Sequence, residues 1–163
     1  MLDAIMRNAD WSSREGYRSF LQIQHAARQP IERWIDENGA GDMGPPPQSG
    51  LIELDLATLG CRPIEAGLNF ELPAGADQIG LAWAIAGSSL GNKAILREVS
   101  AASAGEWPAD FLSDDRMTDF WKRIRPILDN PCEPTRLAAA ETAAMSVFDH
   151  FIAVAETFVC EQV

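Results

Sequence analysis

The stretch Asp77–Val99, DQIGLAWAIAGSSLGNKAILREV, constrains this chain most, because two glycines, Gly87 and Gly91, sit inside what otherwise reads as one long helix. Asp77 is an N-cap residue, and Ile79, Trp83, Ala86 and Leu90 recur at helical spacing, which reads as one long helix. Each interior glycine costs a helix roughly 1 kcal/mol relative to alanine. A fold that keeps two of them uses the missing side chains. Gly80, Ala84, Gly87 and Gly91 follow at spacings of four, three and four, so the small residues form one flat stripe. Two occupants suit such a stripe: a second helix packed backbone to backbone, or a flat ligand such as a porphyrin. The spacing by itself favours the helix.

The rest of the chain reads as helices punctuated by breakers. Met1–Asn8, closing at Asp10, reads as the end of a helix. Ser12 or Ser13 is expected to cap a helix through about Glu37, with Glu15 as in a capping box and a kink at Pro30. Gly39–Ser49, with Pro45–Pro47, is the clearest loop, and Leu51–Gly60 is a short helix ended by Gly60. Cys61–Gly75 is loop; Leu68, Phe70 and Leu72 alternate without a partner strand. Ala101–Ser113 is read as a surface connection, and Asp114 or Asp115 as the cap of Arg116–Leu128, with Pro126 ending that helix early. Thr135 to about Val159 is the final helix, with Leu137, Ala144, Val147, Phe148, Phe151, Ile152, Ala155 and Phe158 as its inward side. No repeat, Walker loop, GxGxxG, HExxH or GxSxG motif occurs.

Composition narrows the classes. With 163 residues, 47% of them apolar, the chain suits one compact domain over 1–163. Its apolar runs are short and interrupted, so no membrane span is expected, and MLDAIMRNAD lacks the regions of a signal peptide. The expected location is the cytoplasm. Cys61, Cys132 and Cys160 are odd in number and scattered, which argues against a disulfide framework and a zinc site. A net charge of -11 opposes nucleic acid and anionic membrane as partners.

The segment Ala86-Gly87-Ser88-Ser89-Leu90-Gly91-Asn92 resembles the distal-helix motif of bacterial haem oxygenases, commonly written E-G-S-S-L-G-G. Gly87 through Gly91 coincide with it, while Ala86 stands for the usual Glu and Asn92 for the second Gly of the doublet. Two further stretches are similar to the family in the same order. Arg14-Glu15-Gly16-Tyr17 with Pro30-Ile31-Glu32 resembles its second helix, and Asp55, Leu56, Leu59 and Gly60 resemble its D-L-x-x-L-G segment.

The resemblance implies an all-α, single-domain haem-oxygenase-like fold of about six to eight helices. It implies that the distal glycines let the helix kink over haem, where iron-bound oxygen opens the porphyrin to biliverdin, carbon monoxide and iron. On that reading Gly87, Ser88 and Gly91 are the catalytic distal-helix residues, and Gly87, Ser88, Gly91, Asn92, Arg123 and Arg125 contact haem. Ser88 occupies a position where some members carry a water-ordering carboxylate; its hydroxyl either does the same or bonds back to the helix. Lys122, Arg123 and Arg125 are candidates for the haem propionates, or form a solvated face. The family's proximal histidine lies a few residues before a segment resembling Leu2-Asp3, which places it just upstream of Met1. His25 and His150 are read as structural, so no metal ligand is assigned and the ring opening is expected to be impaired in this chain. The implied partners are an external electron donor and a bilin-using photoreceptor. The rival expectation is a non-catalytic relative that binds a protein or a small apolar ligand.

Overall fold

The computed structural model describes residues 10–160, so the readings on Met1–Asn8 lie outside the described residues. It is all-helical: α1 (Arg14–Asn38), α2 (Ser49–Thr58), α3 (Gln78–Ser88), α4 (Asn92–Ser103), α5 (Asp115–Leu128) and α6 (Pro134–Cys160). Short 3-10 turns lie at Gly41–Met43 and Ser89–Gly91, and the second joins α3 and α4 into one rod.

The helix ends follow local chemistry. Ser13 caps α1 by accepting from the Gly16 N–H at 3.0 Å, which leaves Glu15 outside the reciprocal bond of a capping box. Gly16 itself is required there, since a built Cβ would lie 2.1 Å from the Asp10 carbonyl oxygen. α1 runs through Pro30 without interruption, and α5 through Pro126 to Leu128, because each proline removes only one helical N–H while the flanking turns stay packed. α2 ends in a Schellman motif. Gly60 takes φ +74°, its N–H reaches the Ala57 carbonyl at 3.0 Å, and the Cys61 N–H reaches that of Leu56 at 2.8 Å. The start of α2 is held from another helix: the Glu32 carboxylate accepts from the Gln48 N–H at 2.6 Å and the Ser49 N–H at 3.1 Å. That is a structural task for the Pro30-Ile31-Glu32 segment.

The core has two parts. One joins Ala27 and Ile31 of α1 to Leu81 and Ile85 of α3, Phe120 and Ile124 of α5, and Val147, Phe151 and Val154 of α6. The other joins Tyr17, Phe20 and Leu21 to Ile52 and Leu56 of α2, Val99 of α4, and Phe111 and Leu112. Burying one such side chain contributes about 1.5–3 kcal/mol, so these positions dominate the stability. Phe70 enters the first part from the extended 61–77 stretch, where Leu68, Phe70 and Leu72 turn inward with no strand partner.

Several expectations are corrected by the packing. Leu137, expected to face inward, is 51% exposed; on α3 the buried side includes Ile79, Ala82, Ile85 and Ala86, while Trp83 is 43% exposed. The connection before α5 is not merely superficial: α4 extends to Ser103, and Phe111 and Leu112 are buried. Asp55 explains their position, since its buried carboxylate accepts from the Asp110 and Phe111 N–H groups at 2.9 and 3.0 Å. By length and composition, the Pro134–Phe158 stretch of α6 is apolar enough to cross a membrane, where the sequence reading expected no span. In the fold one side of α6 is the main packing surface for α3 and also meets α1.

Candidate functional site

In the Ala86–Asn92 segment two serines compete with the helix for its own carbonyls. The Ser88 hydroxyl donates to the Ile85 carbonyl at 2.7 Å and the Ser89 hydroxyl to that of Ala86 at 2.6 Å. Gly91 adds backbone freedom one turn on. The result is the 3-10 turn Ser89–Gly91 in place of a continuous α-helix.

The stripe of small residues is not uniform in what faces it. At Gly80 a built Cβ would lie 1.8 Å from the Ala140 carbonyl oxygen, so α6 packs there backbone to backbone. At Gly87 the nearest atom is Cζ3 of Trp121, at 3.8 Å. At Gly91 nothing lies within 4 Å. The close helix contact is therefore confined to the start of α3.

The remaining candidates do not converge. Ser88 is held between the Ile85 carbonyl and Arg28, whose Nη2 donates to its Oγ at 3.2 Å, so of its two readings the bond back to the helix is the one seen. Asn92 is 8% exposed and lines a cleft with Ser89, Lys93, Leu96 and Thr118. At about 100° per residue Asn92 is turned by about 100° from Gly91 and about 140° from Gly87. Arg123 and Arg125, two positions apart on α5, point to opposite sides of it. Arg123 reaches the Asp42 carbonyl at 3.5 Å and covers the Phe120 ring, while exposed Arg125 lies 3.9 Å from Asp129. α5 runs antiparallel to the rod, with Trp121 at Gly87 and the earlier Thr118 beside Asn92. Arg125 thus lies one turn past Trp121, away from Gly91. Lys122 pairs with Asp119 at 3.2 Å in solvent.

Arg28 is the residue that sequence reasoning missed. It is 3% exposed and has no carboxylate within 4.0 Å among the described residues. Nε donates to Gln24 at 3.1 Å, and the guanidinium stands 5.1 Å from the Phe111 ring centre and 5.8 Å from that of Phe151. Burial pulls its pKa down to about 10, which leaves it charged at neutral pH. Gln24, Arg28 and Glu32, spaced by four on the inner side of α1, were the available signal.

Both histidines are engaged structurally. His25 Nε2 is 2.8 Å from Glu53, and its buried Nδ1 has no hydrogen-bond partner. His150 Nε2 donates to the Ala27 carbonyl at 3.0 Å, a contact between α6 and α1 where a local pairing was expected; burial holds its pKa below the usual histidine value. No group of three or more His, Cys, Asp or Glu among the described residues is arranged to hold a metal ion. Comparison with family models, with curated proteins and with solved structures finds no match to this chain.

Proposed function

We propose that this chain is a haem-oxygenase-like protein that takes haem against the open Gly87–Gly91 side of the rod. The observation that carries the reading is local. The helix turns 3-10 within the residues that resemble the family's distal motif, and Gly91 has an uncovered backbone there. A flat macrocycle needs such an approach, and the Trp121 ring beside Gly87 adds an aromatic surface next to it.

The described residues fit this distal side and do not supply a fifth iron ligand. His150 is bonded to the Ala27 carbonyl, and His25 to Glu53. Nor do Arg123 and Arg125 form a propionate clamp together, because they point to opposite sides of α5. When bound, haem would supply oxygen activation, with an external electron donor and with biliverdin, carbon monoxide and iron as products; a bilin-using photoreceptor is the downstream partner in this reading. The chain's own contribution is positional. Gly87 and Gly91 admit the ring, while Arg28 fixes Ser88 and with it the start of the turn.

Haemin titration tests the reading. A Soret band saturating near one equivalent is expected, with affinity lost in Gly91→Leu, whose side chain would fill the open face. A titration without saturation, or unchanged affinity in that variant, refutes it. The non-catalytic alternative then takes its place.

A further inference from the structure

Between α2 and α3 the chain crosses the surface as an extended stretch that no other element pairs with. From Ala66 to Leu72 burial alternates residue by residue: Ala66, Leu68, Phe70 and Leu72 turn inward, while Gly67, Asn69 and Glu71 stand exposed. Phe70 anchors the stretch, its ring edge-on to Trp34 and His150. Pro73 keeps the preceding Leu72 out of the helical region, and Gly67, at φ +67°, marks the other end of the straight part. Leu68–Leu72 thus has the length and the alternation of an ordinary short strand.

Its main chain is unpaired. Among the described residues no backbone N–H or carbonyl of residues 64–72 has a hydrogen-bond partner; the nearest bond is that of Gln22 Nε2 to the Arg62 carbonyl at 3.2 Å. The apolar side chains alone hold the stretch down. Extended chain with free N–H and C=O groups is a template for a further strand. Nor does α1 seal the edge, because a hollow of about 110 Å³ remains between its His25, Gln29 and Arg33 and the Glu65, Leu68 and Asn69 of the stretch.

Charge selects what the edge can take. Residues 63–76 carry the carboxylates of Glu65 and Glu71 and no cation, and neither carboxylate has a cation within 4.0 Å among the described residues. Arg33, which lines the hollow, is turned to Gln29 Oε1 at 3.0 Å. A second copy of this chain would bring the same carboxylates and its own net charge of -11, which disfavours pairing of like with like. We propose that Leu68–Leu72 is a docking edge for an extended basic segment of another protein, which adds a strand there and sets Lys or Arg against Glu65 and Glu71. Main-chain bonds hold the partner and the two carboxylates select it. The edge shares no residue with the Gly87–Gly91 side, so it stands whether or not haem binds there.

The probe is the peptide acetyl-KVTVTVK-amide, whose cations have the sequence spacing of Glu65 and Glu71, titrated into the full chain labelled with 15N. Saturable shifts are expected over residues 65–72, together with slowed amide exchange at every second residue of Leu68–Leu72, since only alternate residues of a strand bond along one edge. Acetyl-EVTVTVE-amide should not bind, and neither should the KVTVTVK peptide N-methylated at its three central residues. Glu65→Lys/Glu71→Lys, two exposed changes that break no bond, should weaken KVTVTVK at least roughly tenfold and let EVTVTVE bind in its place. The proposal is overturned if KVTVTVK does not saturate, if the N-methylated peptide binds equally well, if the protection does not alternate, or if the charge-reversed protein keeps the parent preference. Alternating protection in the free chain, with sedimentation as a dimer, would also overturn it and make a second copy the occupant.

Discussion

Gly80 and Gly91 belong to one stripe of one rod and differ completely in what faces them. At Gly80 the backbone of α6 comes so close that no side chain fits; at Gly91 there is no neighbour within 4 Å. The same residue type on the same line of a helix therefore serves two ends. At the closed end the missing Cβ permits packing, and at the open end it leaves peptide groups uncovered. A run of small residues does not disclose by itself which of these it is for.

Substitution at Gly80 is the strongest way to break the comparison. Gly80→Ala drives a methyl into a backbone carbonyl, which cannot rotate away, so a loss of about 3 kcal/mol or more is expected in chemical denaturation. A loss under about 1 kcal/mol would mean that α6 does not seat there. Next in size is Asp55→Ala, in the second part of the core. It leaves the part-buried Asp110 N–H and the buried Phe111 N–H without an acceptor and should lower stability by about 2–3 kcal/mol. Asp55→Asn, which retains one acceptor oxygen, should recover part of that.

At the open end the sign reverses. Gly91 has φ -78° and ψ -18°, angles that alanine adopts freely, so Gly91→Ala should stabilise the protein by up to about 1 kcal/mol. A destabilised Gly91→Ala would reveal a close neighbour and abolish the contrast with Gly80.

The smallest effect comes from pH. Burial depresses the His150 pKa, so between that value and the unfolded value near 6.5 the unfolded chain binds more protons. This contribution to stability is fully present above about pH 6.5 and falls as the pH drops through that window, by at most about 1.4 kcal/mol per unit for one proton. Amide exchange should then quicken in α6 before it does at residues 88–92, and His150→Gln should remove the pH dependence. Asp55 acts with the opposite sign. Burial outweighs its two backbone bonds and raises its carboxyl pKa, so the cost of keeping it ionised is relieved as the pH falls through that raised value.

Much of the fold was legible because helix ends are local events. Ser13, Asp77 and Asp114 cap α1, α3 and α5 through bonds spanning two or three residues, and Gly60 ends α2 through bonds spanning three to five. The candidate site was legible only as a segment. Its seven residues were identified, and the turn within them follows from the Ser88 and Ser89 back-bonds, yet the structure sends Ser88 to Arg28, Asn92 to the cleft and Gly91 to open space. The divergence of Arg123 and Arg125 was already contained in their spacing. The burial of Arg28, Phe111 and Leu112 was not, because a cation on α1 and a polar-looking connection give no local sign of the rings and carboxylate that enclose them.

The amino-acid sequence by itself determined the caps at Ser13, Asp77 and Asp114 and the stop at Gly60, since those choices rest on side chains and carbonyls a few positions apart. Only the tertiary structure decided which glycine is closed, which histidine is bonded and which arginine is buried. Gly80 meets Ala140, Arg28 meets Ser88, and Ala27 meets His150; each pair is far apart in the chain, and the energy of each depends on a helix placed opposite by contacts elsewhere. Short-range terms are written residue by residue, whereas burial belongs to the assembled core.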